Sequence, residues 1–195
     1  MTAITPLESI HKKATFGDHH KKNESDLLQI SEVKHLKIIQ VVQYKRSKIQ
    51  LNNIQIDGLE FPLQNTKVSS NKETRILWSA PNTLLVISRK ENIIEIINEK
   101  CNSENFAITD ISHSRAVIQI KGPEAKEILK KGCPLNFNEF ENNNCAGTVF
   151  HGITIVVDLI DNNPYTFNLL ILRSFGESFY HHITDASLEF GYVGV

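Results

Sequence analysis

Apolar residues are distributed unevenly along this chain. Residues 1–35 contain the polar run GDHHKKNESD, and their few apolar positions, such as Leu7, Ile10 and Phe16, are too scattered to form one face of a core helix or strand. From Leu36 onward the stretch HLKIIQVVQY is rich in β-branched residues and is typical of a strand. The pattern therefore predicts a polar N-terminal arm over 1–35, either mobile or ordered against another surface.

The segment 36–108 contains alternating strand and helix patterns. One of its helices is predicted in RSKIQLNNIQI, where Ile49, Ile54 and Ile56 would face the core. The predicted order is a strand in HLKIIQVVQY, a helix in RSKIQLNNIQI, two strands in TRILWSAPNTLLVIS joined at Pro81-Asn82, a helix in RKENIIEIINEK and a strand in NFAITDIS.

The segment 109–195 repeats this order. Its final helix has a predicted capping box, in which Ser174 and Glu177 satisfy backbone N–H groups at the helix start. The predicted elements are a strand in SRAVIQI, a helix in GPEAKEILKKG, strands in TVFHGITIVVDLI and YTFNLLILR, and a helix in RSFGESFYHHITDASLEFG with Phe175, Phe179, Ile183, Ala186 and Phe190 on one face.

The repeated order predicts an α+β fold made of two tandem, ferredoxin-like units. The first would occupy 36–108 and the second 109–195, and the repeated unit would contain roughly 75 residues, within the size range of a small domain.

Composition narrows the classes of partner. The chain has 195 residues, of which 41% are hydrophobic, and its 21 basic and 22 acidic residues give a formal charge of -1. This balance provides no overall field that attracts nucleic acid or an anionic membrane. Because there is no run of about 18 apolar residues and no basic-then-apolar leader, we expect a soluble cytoplasmic protein.

Metal chemistry is not predicted. Cys101, Cys133 and Cys145 lack CxxC spacing, which favours buried small hydrophobes over a zinc site. The pair His19-His20 has no third ligand nearby. The pair His181-His182 could suggest a metal-dependent hydrolase, but adjacent helix residues point about 100° apart and chelate one ion poorly.

The stretch TDISHSRA brings Asp110, Ser112, His113 and Arg115 together and invites comparison with a nucleophilic triad. In an extended strand, alternate side chains share a face, so Asp110 and Ser112 would lie opposite His113. A triad is therefore not predicted. We expect these residues to hold the chain where the strand bends.

The residues that follow have evident roles in folding. Gly122 permits a sharp turn from strand to helix, and Pro123 suits the first helical position. Gly132 is predicted to end the helix, and the chain continues as Cys133-Pro134. Ala125, Ile128 and Leu129 provide its buried stripe.

Taken together, TDISHSRAVIQIKGPEAKEILKKGCPLNF resembles the central signature of the gamma subunit of heterotetrameric sarcosine oxidase, in which D-[ILV]-S-H-x-R, GP-x-A and KGCP-[IL] occur in this order. The hairpin RILWSAPNTLLVIS and the closing segment with Arg173, Ser174 and Phe175 are similar to that family too. The resemblance spans about Ile76 to Tyr192. The first 70 residues match only loosely, and the D-S-H and GP-x-A parts are shared with the wider aminomethyltransferase superfamily.

The resemblance implies a fold like the folate-binding module of the glycine-cleavage aminomethyltransferase. It implies a complex with alpha, beta and delta subunits that oxidatively demethylates sarcosine to glycine, with formation of hydrogen peroxide and transfer of the one-carbon unit to tetrahydrofolate. FAD, FMN, NAD and tetrahydrofolate would belong to the partner chains. No catalytic, cofactor-binding or metal residue is expected in this chain.

The sequence agrees with that division. It has no GxGxxG motif after a strand, and residues 152–156, where folate-binding relatives are expected to carry acidic side chains, read GITIV. Asp158 lies nearby, in what we interpret as an ordinary strand position. The alternative is a free-standing folate-binding protein or aminomethyltransferase-like enzyme.

Overall fold

The computed structural model describes residues 5–20, 22–23 and 26–195. Its α-helices are α1 (Ile93–Lys100), α2 (Ala125–Gly132) and α3 (Gly176–Ser187). Its strands are β1 (Thr15–Phe16), β2 (Leu28–Glu32), β3 (Lys37–Gln43), β4 (Gln55–Ile56), β5 (Leu59–Glu60), β6 (Val68–Ser70), β7 (Thr74–Ala80), β8 (Thr83–Ser88), β9 (Phe106–Asp110), β10 (Arg115–Lys121), β11 (Cys145–Phe150), β12 (Ile153–Asn162), β13 (Tyr165–Leu172) and β14 (Tyr192–Gly194).

The chain divides into two compact units. The first unit comprises 35–113 and the short segment 143–146, and the second comprises 114–142, 147–195 and the described part of 1–34. The strand order is β6-β7-β8-β3-β9 in a five-stranded sheet and β1-β14-β2-β10-β13-β12-β11 in a seven-stranded sheet. The fold is therefore α+β, as the sequence predicted.

In the first unit, β3 lies between β8 and β9 and pairs antiparallel with both. Its core is built from alternate strand residues and from the buried face of α1, where Ile93 and Ile97 are both inaccessible to solvent. The turn between β7 and β8 lies at Pro81-Asn82, as predicted, and Asn82 has a φ of 60°. The main core residues are Ile39, Val41, Ile54, Ile56, Phe61, Ile76, Leu84, Val86, Ile93, Ile97, Cys101 and Phe106.

The helix predicted in RSKIQLNNIQI is wrong. A 3₁₀ turn (Leu51–Asn53) and the β4–β5 hairpin occupy this stretch. Ile54 and Ile56 are buried while Gln55 is exposed, which is the period of two that a strand requires. The predicted core positions were right, but the period assigned to them was that of a helix.

In the second unit, β10 lies between β13 and β2 and is antiparallel to both. Its residues Ala116, Ile118 and Ile120 are buried, as predicted, and the buried stripe of α2 is formed by Ala125, Ile128 and Leu129. Across β13 the core continues through Phe167, Leu169 and Ile171.

The N-terminal segment contributes to this second sheet. β2 pairs with β10 and, in parallel, with β14, and β1 pairs with β14. Phe16 stacks on Tyr192 with ring centroids 5.1 Å apart, and Leu7 and Leu28 are buried. The described part of the predicted arm is thus integrated into the second unit. Residues 1–4, 21, 24 and 25 of that arm lie outside the described residues.

Candidate functional site

The residues singled out by sequence occupy three places. The first place is the junction between β9 and β10, which contains Asp110, Ser112, His113 and Arg115. The second is the α2 segment, with Gly122 and Pro123 before the helix, Gly132 at its end, and Cys133 and Pro134 after it. The third is the 3₁₀ turn before α3, formed by Arg173, Ser174 and Phe175. The β10–β13 ladder pairs Arg115 with Leu172, the residue before Arg173.

Asp110 and Ser112 form a local hydrogen-bonded turn. The carboxylate oxygen Oδ1 of Asp110 accepts from Ser112 Oγ at 2.5 Å and from the Ser112 backbone N–H at 2.9 Å. Ser112 Oγ in turn accepts the backbone N–H of Ile38 at 2.8 Å, which ties this turn to the start of β3. The hydrogen bond from Ser112 is the main reason that the pKa of Asp110 lies below its usual value.

The geometry does not form a nucleophilic triad. Ser112–Ser114 is a 3₁₀ turn, so the extended strand assumed for these residues is wrong, and Asp110 and Ser112 meet through the turn. The proton of Ser112 Oγ goes to Asp110, and among the described residues no hydrogen bond joins Ser112 to His113. A serine nucleophile needs a histidine or similar base to accept its proton. Here the hydroxyl of Ser112 instead donates to the Asp110 carboxylate as part of the local turn.

The two glycines of the α2 segment are required by close packing. Gly122 has a φ of 153°, and a Cβ there would lie 3.0 Å from the Cα of Leu28. A Cβ on Gly132 would lie 2.7 Å from the Phe150 ring. Gly132 is the last residue of α2, as predicted, and Cys133 after it is extended, so tight packing and not a left-handed cap explains this glycine.

Two other local predictions differ from the structure. α2 begins at Ala125, two residues beyond Pro123, which precedes the helix. Residues 173–175 form a separate 3₁₀ turn, which places Phe175 at the N-cap position of α3. No side chain caps the helix, so the predicted Ser174–Glu177 capping box is wrong.

The thiols are poorly suited to chemistry. Burial raises the pKa of Cys101 to about 11 and that of Cys133 to about 12, so both remain protonated at neutral pH. Cys145 is buried and its thiol donates to the carbonyl of Trp78 at 3.3 Å. These cysteines are small buried hydrophobes, as predicted.

A polar network in the first unit was not found from the sequence. The carboxylate of Asp57 accepts hydrogen bonds from Lys90 Nζ, from Thr74 Oγ1 at 2.7 Å and from Asn71 Nδ2 at 3.2 Å. Thr74 Oγ1 also contacts Ser88 Oγ at 2.8 Å, and both residues are buried. Burial alone would raise the pKa of Asp57, but these hydrogen bonds outweigh it and hold that pKa below its usual value.

The concave surfaces are shallow. In the first unit a groove of about 270 Å³ is lined by Trp78, Leu84, Leu63 and two prolines, with neutral polar residues at its edge. In the second unit an open surface of about 470 Å³ runs along α3 past His181, His182 and Asp185. Neither places a base beside a nucleophile.

Two observations bear on whether the described residues could hold a metal or a folate. No three metal-binding side chains among them converge on one point. Asp158 is wholly buried in β12, opposite Asn168 of β13, so its carboxylate does not face a ligand at the surface. No helix in the described part of the chain is long and apolar enough to span a membrane.

The fold defines the class of protein. It is similar to a chain of the heterotetrameric sarcosine oxidase from Corynebacterium sp. U-96 in complex with pyrrole 2-carboxylate, with a TM-score of 0.82 and 20% identity over 97% of each chain. It is similar also to the glycine cleavage system aminomethyltransferase T from Bartonella henselae, with a TM-score of 0.62 and 12% identity over 87% of this chain and 48% of that one. The chain thus has an α+β fold similar to that of the aminomethyltransferase.

The sequence gives the family. Residues 49–189 match the model of the sarcosine oxidase gamma subunit family, and the chain belongs to that family. The gamma subunit of sarcosine oxidase from Corynebacterium sp. strain U-96 is 29% identical over 121 residues, which cover 60% of this chain and 58% of that protein. The match therefore spans somewhat less than two thirds of this curated relative's length.

Proposed function

We propose that this chain is the gamma subunit of a heterotetrameric sarcosine oxidase and supports the complex without an active site of its own. The observation that carries the proposal is the family match over 49–189, which contains the three described α-helices and the strands from β4 to β13. The local geometry is consistent with it, because the chemically suggestive residues Asp110 and Ser112 are engaged in a structural turn.

The parent complex would oxidatively demethylate sarcosine to glycine, yielding hydrogen peroxide and passing the one-carbon unit to tetrahydrofolate. The partners would be the alpha, beta and delta subunits, in the cytoplasm, and these chains would hold FAD, FMN, NAD and tetrahydrofolate. An obligate interface of this kind buries on the order of 2,000 Å² or more.

Co-expression tests this role. The chain is produced with its candidate alpha, beta and delta partners, purified through a tag on the alpha chain and analysed by size-exclusion chromatography. We expect all four chains to elute together, and omission of the gamma chain to lower the yield of active complex. The proposal is contradicted if the gamma chain elutes alone and the remaining enzyme keeps full activity.

A second candidate is a free-standing folate-binding protein. The fold similarity to an aminomethyltransferase T, with its TM-score of 0.62, favours it. Titration of the purified chain with tetrahydrofolate by calorimetry separates the two functions. Saturable binding in the micromolar range supports the second candidate, whereas the absence of heat at millimolar ligand supports the subunit role.

A further inference from the structure

Four consecutive residues at the end of β13, Leu172–Phe175, are exposed. Leu172 is 41% exposed and Phe175 is 47% exposed. Among the large apolar side chains that are exposed in the described part of the chain, these two alone lie within four residues of each other. Clustered exposed apolar side chains are characteristic of sites where proteins bind one another.

Folding does not account for this pair. Leu172 lies on the opposite face of β13 from the core residues Leu169 and Ile171, and it is exposed although Leu170 on its own face is buried. Phe175 occupies the N-cap position of α3, where a side chain with an oxygen would stabilise the helix and a phenylalanine cannot. Neither side chain therefore has a role in the core or at the helix end that requires its large apolar surface.

A partly buried arginine lies beside Leu172. Arg115 is the direct cross-strand partner of Leu172, so the two side chains share one face of the sheet. No hydrogen bond or ion pair connects the guanidinium of Arg115 to a residue that the structure describes. Burial lowers the pKa of Arg115, which shows that its charge has lost part of its hydration. A cation in this state gains from a carboxylate brought by a partner.

We propose that Arg115, Leu172 and Phe175, here named the Arg115 surface, bind a segment of another subunit of the complex that presents a carboxylate next to an apolar side chain. The inference rests on the proposed function. A small-molecule site is not favoured, since these residues line none of the grooves described above. A polyanion is not favoured either, because the formal charge of the chain is -1.

A competition experiment tests the surface within the assembled complex. Wild-type chain with one tag and variant chain with another are co-expressed with the partner subunits, and the ratio of the two in the purified complex is divided by their ratio in the soluble lysate. We expect Phe175→Ser and Arg115→Glu to be depleted about tenfold or more, the size of a significant interface residue. If Arg115→Glu loses solubility, the milder Arg115→Gln carries the same test.

Matched control variants distinguish this surface from others. Lys121→Glu reverses a charge on the same face at the other end of β10, and Leu188→Ser removes an apolar side chain that is 42% exposed beyond α3. Both controls are expected to be incorporated within about twofold of wild type, since interface energy is concentrated in few residues. Equal incorporation of test and control variants would overturn the proposal, and so would equal depletion.

Salt dependence tests the carboxylate. Arg115 is only partly buried, so an ion pair at this position stays in contact with solvent and salt should weaken it. The advantage of wild type over Arg115→Gln should therefore shrink when assembly is challenged at about 0.5 M salt instead of 0.1 M, whereas the advantage over Phe175→Ser should persist. An Arg115 effect that salt leaves unchanged contradicts the carboxylate. If neither wild type nor variants are found with any partner subunit, the proposed function itself fails, which is a distinct outcome.

Discussion

The two units arrange corresponding strands in the same order but complete their sheets differently. In the first unit the order is β9-β3-β8-β7. β3 therefore lies between β9, which follows α1, and β8, the second strand of the β7–β8 hairpin. In the second unit the order β2-β10-β13-β12 is equivalent, with β10 in the position of β3. The position of β9 is taken by β2 from the N-terminal segment, and β14, the strand that follows α3, pairs with the other edge of β2. A duplicated order therefore does not require that each copy supply all its own strands.

The units also differ in how they use buried polar groups. The first unit buries the hydroxyls of Thr74 and Ser88 in a network with Asp57, whereas in the second unit Ser187 donates to the Ile183 carbonyl of its own helix at 2.6 Å. The hydrogen-bond network around Asp57 joins segments that are distant in sequence, whereas the Ser187 hydrogen bond joins residues of the same helix. The first unit should therefore be more sensitive to the loss of polar groups.

The largest expected effect is the loss of a buried helix side chain. Ile97→Ala in α1 and Ile128→Ala in α2 each remove a fully buried isoleucine and should lower the free energy of unfolding by about 2–5 kcal/mol. The Ile97 change should be the more costly, because α1 is the one α-helix described in the first unit. Urea unfolding measures both, and a smaller effect at Ile97 would contradict this difference.

The next largest loss of stability is expected where Gly132 packs closely against Phe150 in the second unit. Gly132→Ala would ordinarily stabilise a helix, yet its Cβ would lie 2.7 Å from the buried Phe150 ring and should cost about 1–3 kcal/mol. Gly147→Ala, where a Cβ meets nothing within 4 Å, serves as the control and should change stability by less than about 0.5 kcal/mol. Thermal unfolding of the two variants compares them, and a stable Gly132→Ala would show that the ring can move aside.

The same substitution in the two units tests the polar comparison. Ser88→Ala deprives Thr74 Oγ1 and the Lys90 backbone N–H of a partner and should cost about 1–3 kcal/mol. Ser187→Ala removes a donor to a carbonyl inside α3 and should cost less than about 1 kcal/mol. Equal losses on denaturant unfolding would show that the network adds nothing to the first unit.

Acid should expose the contribution of Asp57. Its folded pKa lies below that of the unfolded chain, so its contribution to stability is present above the unfolded value near 3.8 and is lost as pH falls through the folded pKa. Wild type should therefore exceed Asp57→Asn in stability at pH 7, and this gap should close as the pH falls below the unfolded value and through the folded pKa. A gap that is independent of pH would mean that the carboxylate charge has no part in the network.

The sequence predicted those elements whose periodicity was strong. The β3 strand, the hairpin at Pro81-Asn82, α1 and the stripe of α2 follow from local pattern alone. β2 was missed because five residues after a polar run carry little signal, and its partner β10 lies about 85 residues further along the chain. A helix was predicted over 46–56 because Ile49 and Ile56, seven residues apart, fit one helical face, whereas the alternation of Ile54 and Ile56 is that of a strand.

The site was predictable only where its contacts were local. The turn of Asp110 and Ser112 follows from adjacent letters, although its partner Ile38 does not. The Asp57 network could not be predicted, since its members are scattered over more than 30 residues and meet only when the sheet forms. The exposure of Phe175 was missed for a related reason: a helical period placed it on the buried face, whereas α3 begins one residue later.

We propose that the signature residues of this chain build a scaffold and perform no chemistry. The turnover of sarcosine by purified heterotetramer that carries Ser112→Ala and His113→Ala together tests it most directly. The account predicts a kcat within about twofold of wild type for the assembled complex, with any loss confined to stability or yield. A hundredfold fall in kcat with an intact heterotetramer would contradict it, because a loss of that size is typical of a general acid or base.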